Sequence, residues 1–240
     1  AAVATGLGLG VAGTLGVLAS RIAEPERGGG SASVGAGTPA VVSARSRWID
    51  AERALVLLAM VGLGATLNAI LVSTVAVTEA LGRPGFASVV FILNSGASFL
   101  AAIVVGRMVL RSDPRRRVTV GAAVYLLTVI PFALVDGLLP LAVAATVAGL
   151  AIAPLFIQVN AYVAVTSRPE QLTEAFSWIP AAVGVGLALG SAAMGAAIDR
   201  VGPDRARLAV LLVGSLPAVF ATLGEVRSMV QRRARSGGGG

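Results

Sequence analysis

Residues 138–166 read LLPLAVAATVAGLAIAPLFIQVNAYVAVT, twenty-nine positions without a charged side chain. A helix of about 20 apolar residues crosses the roughly 30 Å hydrocarbon layer of a bilayer. Six more apolar stretches flank this one, at about 1–20, 54–78, 86–106, 118–135, 174–198 and 208–224. Short arginine-bearing segments separate them. A soluble chain has no use for so many such runs, because its helices keep one polar face. The expected fold class is therefore all-α: a polytopic membrane helical bundle.

Composition agrees. Hydrophobic residues make up 56% of the 240 and charged residues 13%, with a mean hydropathy of +0.86. Globular domains carry about twice that share of charge. There is no Cys and no His, which excludes disulfides, Cys/His zinc sites, cysteine nucleophiles and Ser–His–Asp arrangements. No acid pair or metal set lies at membrane depth, so no catalytic residue, metal or cofactor is expected, and an intramembrane enzyme is disfavoured. Gly6–Gly10 and Gly184–Gly186 evoke nucleotide loops, but neither follows a strand, and Gly-Lys-Ser/Thr is absent. ATP-driven pumping is thus unsupported.

All 19 basic residues are Arg, and the sequence pI is about 11.4. The arginines sit between spans, where they report topology and not nucleic-acid binding. Counted on alternating sides, fifteen fall on one side and four on the other (Arg83, Arg200, Arg205 and Arg207). The richer side is expected to be cytoplasmic, with Asp199 and Asp204 partly neutralising the outer arginines. The chain then divides into a transmembrane helix over 1–23, a flexible Gly/Ser-rich cytoplasmic linker over 24–50, a six-helix bundle over 51–225, and a disordered basic cytoplasmic tail over 226–240. The first stretch lacks the basic start of a signal peptide and reads as the end of a helix from a longer chain. Trp48 and Trp178 fall near span ends and read as interfacial anchors.

An internal echo links the two halves of the bundle. Gly106, Arg111, Pro114 and Arg116 recur as Gly195, Arg200, Pro203 and Arg205, an offset of 89. Arg83-Pro84 recurs as Arg168-Pro169, an offset of 85. Each signature follows the same helix of a three-helix group, on opposite sides by the arginine count. Three helices followed by three of flipped orientation form a 3+3 inverted repeat, an architecture of secondary transporters.

A six-helix group preceded by one helix and a cytoplasmic linker resembles the C-terminal half of a major facilitator superfamily transporter. Residues 154–191 resemble the tenth and eleventh helices of actinobacterial drug-efflux-type members. GAAIDRVG over 195–202, with Gly195, Asp199 and Arg200, is similar to the family's loop motif, Gly-x-x-x-Asp-Arg-x-Gly-Arg-Arg. The copy at Gly106–Arg117 keeps Gly106, Arg111 and the basic end, but Leu110 stands where the acid belongs and Asp113 where the second Gly belongs. The resemblance implies alternating-access transport across the plasma membrane, with the C-terminus cytoplasmic. Its implied partners are lipid, a small-molecule substrate and an upstream six-helix half; nucleic acid is not among them.

Polar side chains in a bilayer need a partner or a role. Asn68, Asn94 (with Ser95 and Ser98), Gln158 and Asn160 lie mid-span. The resemblance places the helices at 54–78 and 138–166 on the central cavity, making Asn68, Gln158, Asn160 and Asn94 candidates for substrate contact. Hydrogen bonding between helices is the alternative reading of all four. No carboxylate lies mid-span; a coupling acid is expected in the upstream half, with Glu79 next. Gly184, Gly186 and Gly190 read as close-packing residues or as a surface that slides during transport. Pro154 and Pro180 read as bends. A cavity lined by amides, hydroxyls and aliphatic groups suits neutral or weakly cationic amphiphiles, and the resemblance favours efflux. The alternative function is a non-transporting scaffold or receptor-like bundle.

Overall fold

The computed structural model describes residues 51–108 and 112–237. The expected first helix (1–23), the linker (24–50) and Arg111 lie outside the described residues. Six long helices follow one another: α1 (Ala51–Ala80), α2 (Phe86–Gly106), α3 (Pro114–Leu134), α4 (Leu138–Thr166), α5 (Leu172–Val201) and α6 (Ala209–Gly237). A 3-10 turn (Pro169–Gln171) precedes α5 and a one-turn helix (Pro203–Ala206) precedes α6. All six are long and apolar enough to span a membrane, and no strand occurs among the described residues.

Local chemistry sets the boundaries. α3 starts ahead of its apolar run because Asp113 caps it, accepting from the Arg115 N–H at 2.9 Å, with Pro114 in the first turn. The α3–α4 and α5–α6 turns pass through Gly137 (φ +89°) and Gly202 (φ +78°), a region that side chains with a Cβ avoid. α6 continues past its apolar run to Gly237, through residues that the sequence alone assigns to the tail. Pro131, Pro154, Pro180 and Pro217 all lie inside continuous helices.

The main packing partners are α1 with α5 and α6, α4 with α2 and α3, and α3 with α6. The core between them holds Met60, Leu63, Tyr125, Phe132, Leu141, Leu155 and Met194, all sealed from solvent. Thr66, Thr74 and Thr78 are buried and return their hydroxyls to the carbonyls of Gly62, Ile70 and Thr74 at 2.7–2.9 Å. That bond satisfies a polar side chain within its own helix. Contacts at the two ends show that successive helices alternate in direction. Glu52 at the start of α1 meets Arg115 at the start of α3 and Tyr162 at the end of α4. At the opposite end, Asp136 in the α3–α4 turn meets Arg207, just before α6.

Burial is uneven. Of each helix's most apolar window, only 11% is buried in α2 and 22% in the stretch holding α5, against 33–50% in the other four. Ile92, Phe99, Leu100 and Val104 on α2 are more than 60% exposed.

Candidate functional site

Midway along the bundle, α1, α2 and α4 enclose two adjoining hollows that share Leu67, Asn94 and Ser95. The inner one, of about 190 Å³, lies against Ile70, Val90 and Ala145. The outer one, of about 490 Å³, opens away from the bundle past Ser98, Phe99, Ala102, Ile152 and Ala153. Asn94, Ser95, Ser98 and Phe99 form two pairs four residues apart, so one face of α2 carries them all. Asn94 Nδ2 donates to Ala145 O at 2.6 Å. The helices touch there: a Cβ on Gly149 would lie 2.3 Å from Asn94 O. No charged side chain lines either hollow. Amide, hydroxyl and aromatic groups in an uncharged apolar wall can recognise a neutral amphiphile. Nothing in that wall compensates a full charge.

The other residues singled out from sequence lie elsewhere. Asn68 bridges α1 to α5, donating from Nδ2 to Leu187 O at 2.7 Å and to Ser191 Oγ. Asn160 donates to Phe156 O of its own helix at 2.8 Å. Gln158 faces α3: a Cβ on Gly121 would lie 2.9 Å from its Oε1. That oxygen is buried and has no hydrogen-bond partner among the described residues. Of the four candidates, only Asn94 lines the mid-depth hollows.

The three glycines divide. A Cβ on Gly186 would lie 2.1 Å from Val61 O, and one on Gly190 2.1 Å from Ala65 O. From the other side, a Cβ on Gly64 would lie 2.3 Å from Val183 O. α1 and α5 therefore touch backbone to backbone along this seam, with Asn68 at its end. Gly184 has nothing within 4 Å of its Cβ position, and neither do Gly106 and Gly195. Pro154 is half-buried and Pro180 exposed. Asp199 and Arg200 are exposed and form no ion pair among the described residues.

Sequence reasoning missed the polar ties at both ends. At the end where α1 and α3 begin, Glu52 Oε1 accepts from Arg115 Nε at 2.8 Å and from Tyr162 Oη at 3.0 Å. Arg53 donates to Thr166 O beside them. At the other end Arg207, 5% exposed, donates to Val135 O and pairs with Asp136 at 2.6 Å and Asp204 at 3.9 Å. Only Asp204 of the two expected neutralising acids takes part. Apart from Arg207 and Asp204, which are three residues apart, these partners lie 63 to 113 residues apart in the chain, and no local spacing links them. Ser95 and Ser98 did carry a signal, through their place beside Asn94. No group of three or more His, Cys, Asp or Glu able to hold a metal occurs among the described residues.

The profile of the Major Facilitator Superfamily matches residues 54–237, which covers all six long helices. No curated protein matches the chain.

Proposed function

We propose, from the premise that this chain belongs to the Major Facilitator Superfamily, a family of membrane transporters, that it is one six-helix half of a secondary active transporter. On this reading it moves small, uncharged amphiphilic molecules by alternating access, and outward. The observation that carries the substrate class is the charge-free hollow at mid-depth, walled by Asn94, Ser95, Ser98 and Phe99.

The helix packing supports an inverted repeat. Exchange α1 with α4, α2 with α5, and α3 with α6. The α1–α5 pair becomes α4–α2, the α1–α6 pair becomes α4–α3, and α3–α6 maps onto itself, so every main packing pair returns a main packing pair. The residues follow. Gly64 shifted by 85 is Gly149, and Asn94 shifted by 89 is Val183, the two offsets of the loop signatures. A glycine contact at each crossing joins these positions: Gly64 to Val183 O and Gly149 to Asn94 O, each at 2.3 Å. Leu67 and its counterpart Ile152 both line the outer hollow.

The same exchange relates α2 and α5, the two helices with the least buried windows. Their exposed apolar faces are where a second six-helix half would close the hollow. The arginine-rich ends, held by the Glu52–Arg115–Tyr162 tie, face the cytosol of the plasma membrane in this orientation, as does the C-terminus.

Reconstitution of the intact transporter tests the proposal. Vesicles with an imposed proton or sodium gradient are expected to accumulate labelled neutral aromatic solutes, and Ser98→Trp, which fills the hollow, to stop that flux. Flux unaltered by Ser98→Trp in folded protein would remove the hollow from the path. A protein that moves no member of a broad neutral panel under any gradient would overturn the transport reading.

A further inference from the structure

The two equivalent crossings of the proposed repeat are not equally closed, and their differences fall on the hollow. At the α1–α5 crossing, Gly186 and Gly190 admit the carbonyls of Val61 and Ala65, and Asn68 reaches Leu187 O and Ser191 Oγ. At the α2–α4 crossing the offsets of 89 and 85 put Ala97 and Ala101 in place of the two glycines, and Ala153 in place of Asn68. Opposite Ala153, Ser98 stands for Leu187 and Ala102 for Ser191. Each alanine carries the Cβ that would lie 2.1 Å from a carbonyl oxygen at the other crossing. The seam therefore cannot continue beyond the Gly149–Asn94 contact. Ala153, Ser98 and Ala102, the three counterparts of the Asn68 bridge, all line the outer hollow of about 490 Å³.

We infer that the substrate pocket is the vacant counterpart of the Asn68 bridge, and that Ala153 and Ser98 set its specificity. The inference rests on the transporter reading and on the repeat. In the closed crossing an amide N–H donates to a helix carbonyl and a neighbouring hydroxyl. In the vacant one the solute supplies that donor, to the backbone carbonyl and hydroxyl of Ser98, while its apolar part lies against Phe99 and Ile152. The pocket selects neutral molecules with an N–H or O–H donor next to an aromatic or branched aliphatic group. A buried acceptor left unpaired is costly, so analogues lacking the donor bind more weakly.

The test uses the intact transporter in vesicles and exploits the lack of cysteine in these 240 residues. Ser98→Cys is treated with a small neutral methanethiosulfonate, alone or with benzamide or N,N-dimethylbenzamide. Benzamide is expected to slow modification at least fivefold more than its dimethyl analogue at the same concentration. Adding Ala153→Asn, which rebuilds the bridge, is expected to slow modification at least tenfold without any ligand. Should that variant not accumulate, Ala153→Leu fills the same space and is expected to act alike. A rate within twofold of the parent in the folded Ala153 variant, or equal protection by the two amides, overturns the inference. Labelling and protection as stated, in vesicles that move neither amide under any gradient, would leave the pocket standing and remove the transport reading.

Discussion

Gly190→Ala on α5 adds one methyl group where the α1–α5 seam has no room for it. Its Cβ would fall 2.1 Å from Ala65 O and 2.8 Å from the Ala65 carbonyl carbon and Cα, all rigid backbone. Relieving that overlap requires the helices to part by about 1 Å, and overpacking of this kind costs about 1–3 kcal/mol. Parting also stretches the Asn68 Nδ2 to Leu187 O bond, now 2.7 Å, out of range. A hydrogen bond between membrane helices is worth about 0.6 kcal/mol on average. The expected loss is therefore about 2–4 kcal/mol. Gly184→Ala, on the same helix with nothing within 4 Å, is the control; helix propensity makes it neutral or stabilising by up to about 1 kcal/mol. Reversible unfolding in mixed micelles measures both. Equal stability of the two variants would refute the claim that a backbone-to-backbone seam holds α1 against α5.

Three further outcomes follow from the same geometry. Arg207→Met removes the donor to Val135 O and the 2.6 Å pair with Asp136; the loss expected in the same unfolding assay is about 1–3 kcal/mol, with no effect on ligand protection at Ser98. Tyr162→Phe deletes the 3.0 Å bond onto Glu52 and is expected to cost about 0.5–1.5 kcal/mol, the loss coupling with that of the 2.8 Å Arg115 pair in a double-mutant cycle with Arg115→Met. Gln158→Leu replaces a buried acceptor that has no partner among the described residues, so stability is expected to hold or rise by about 1 kcal/mol with transport intact; a selective loss of transport would return Gln158 to the substrate path.

Hydropathy alone was enough to find every long helix of the bundle, because a bilayer demands about 20 apolar residues per crossing whatever the neighbours are. Helix ends were less legible. Asp113 and Pro114 begin α3 in a polar stretch that hydropathy passes over, and α6 runs on where no apolar signal remains. Facing was the least legible property. Residues two apart on a helix point about 200° apart, so Gly184 cannot share the seam of Gly186 and Gly190. The sequence shows three small residues and not which pair is used. Likewise four mid-span amides look alike in sequence. Their roles separate only when Asn68 is seen bonded to α5, Asn160 to its own helix and Gln158 set against α3, leaving Asn94 with the hollow. The proposed repeat rests, in sequence, on its loop signatures alone, since Gly, Pro and Arg at fixed offsets mark turns. The crossings it relates depend on single glycines that no local pattern singles out.

Alternating access makes one demand that a scaffold or a one-sided receptor does not: the same mid-depth residue must meet water from both faces of the membrane. The most direct measurement is the labelling of Ser98→Cys by an impermeant thiol reagent in right-side-out and in inside-out vesicles. Modification from both sides, in each case slowed by a bound neutral amide, is the predicted result. Modification from one side only, or from neither, would contradict the account.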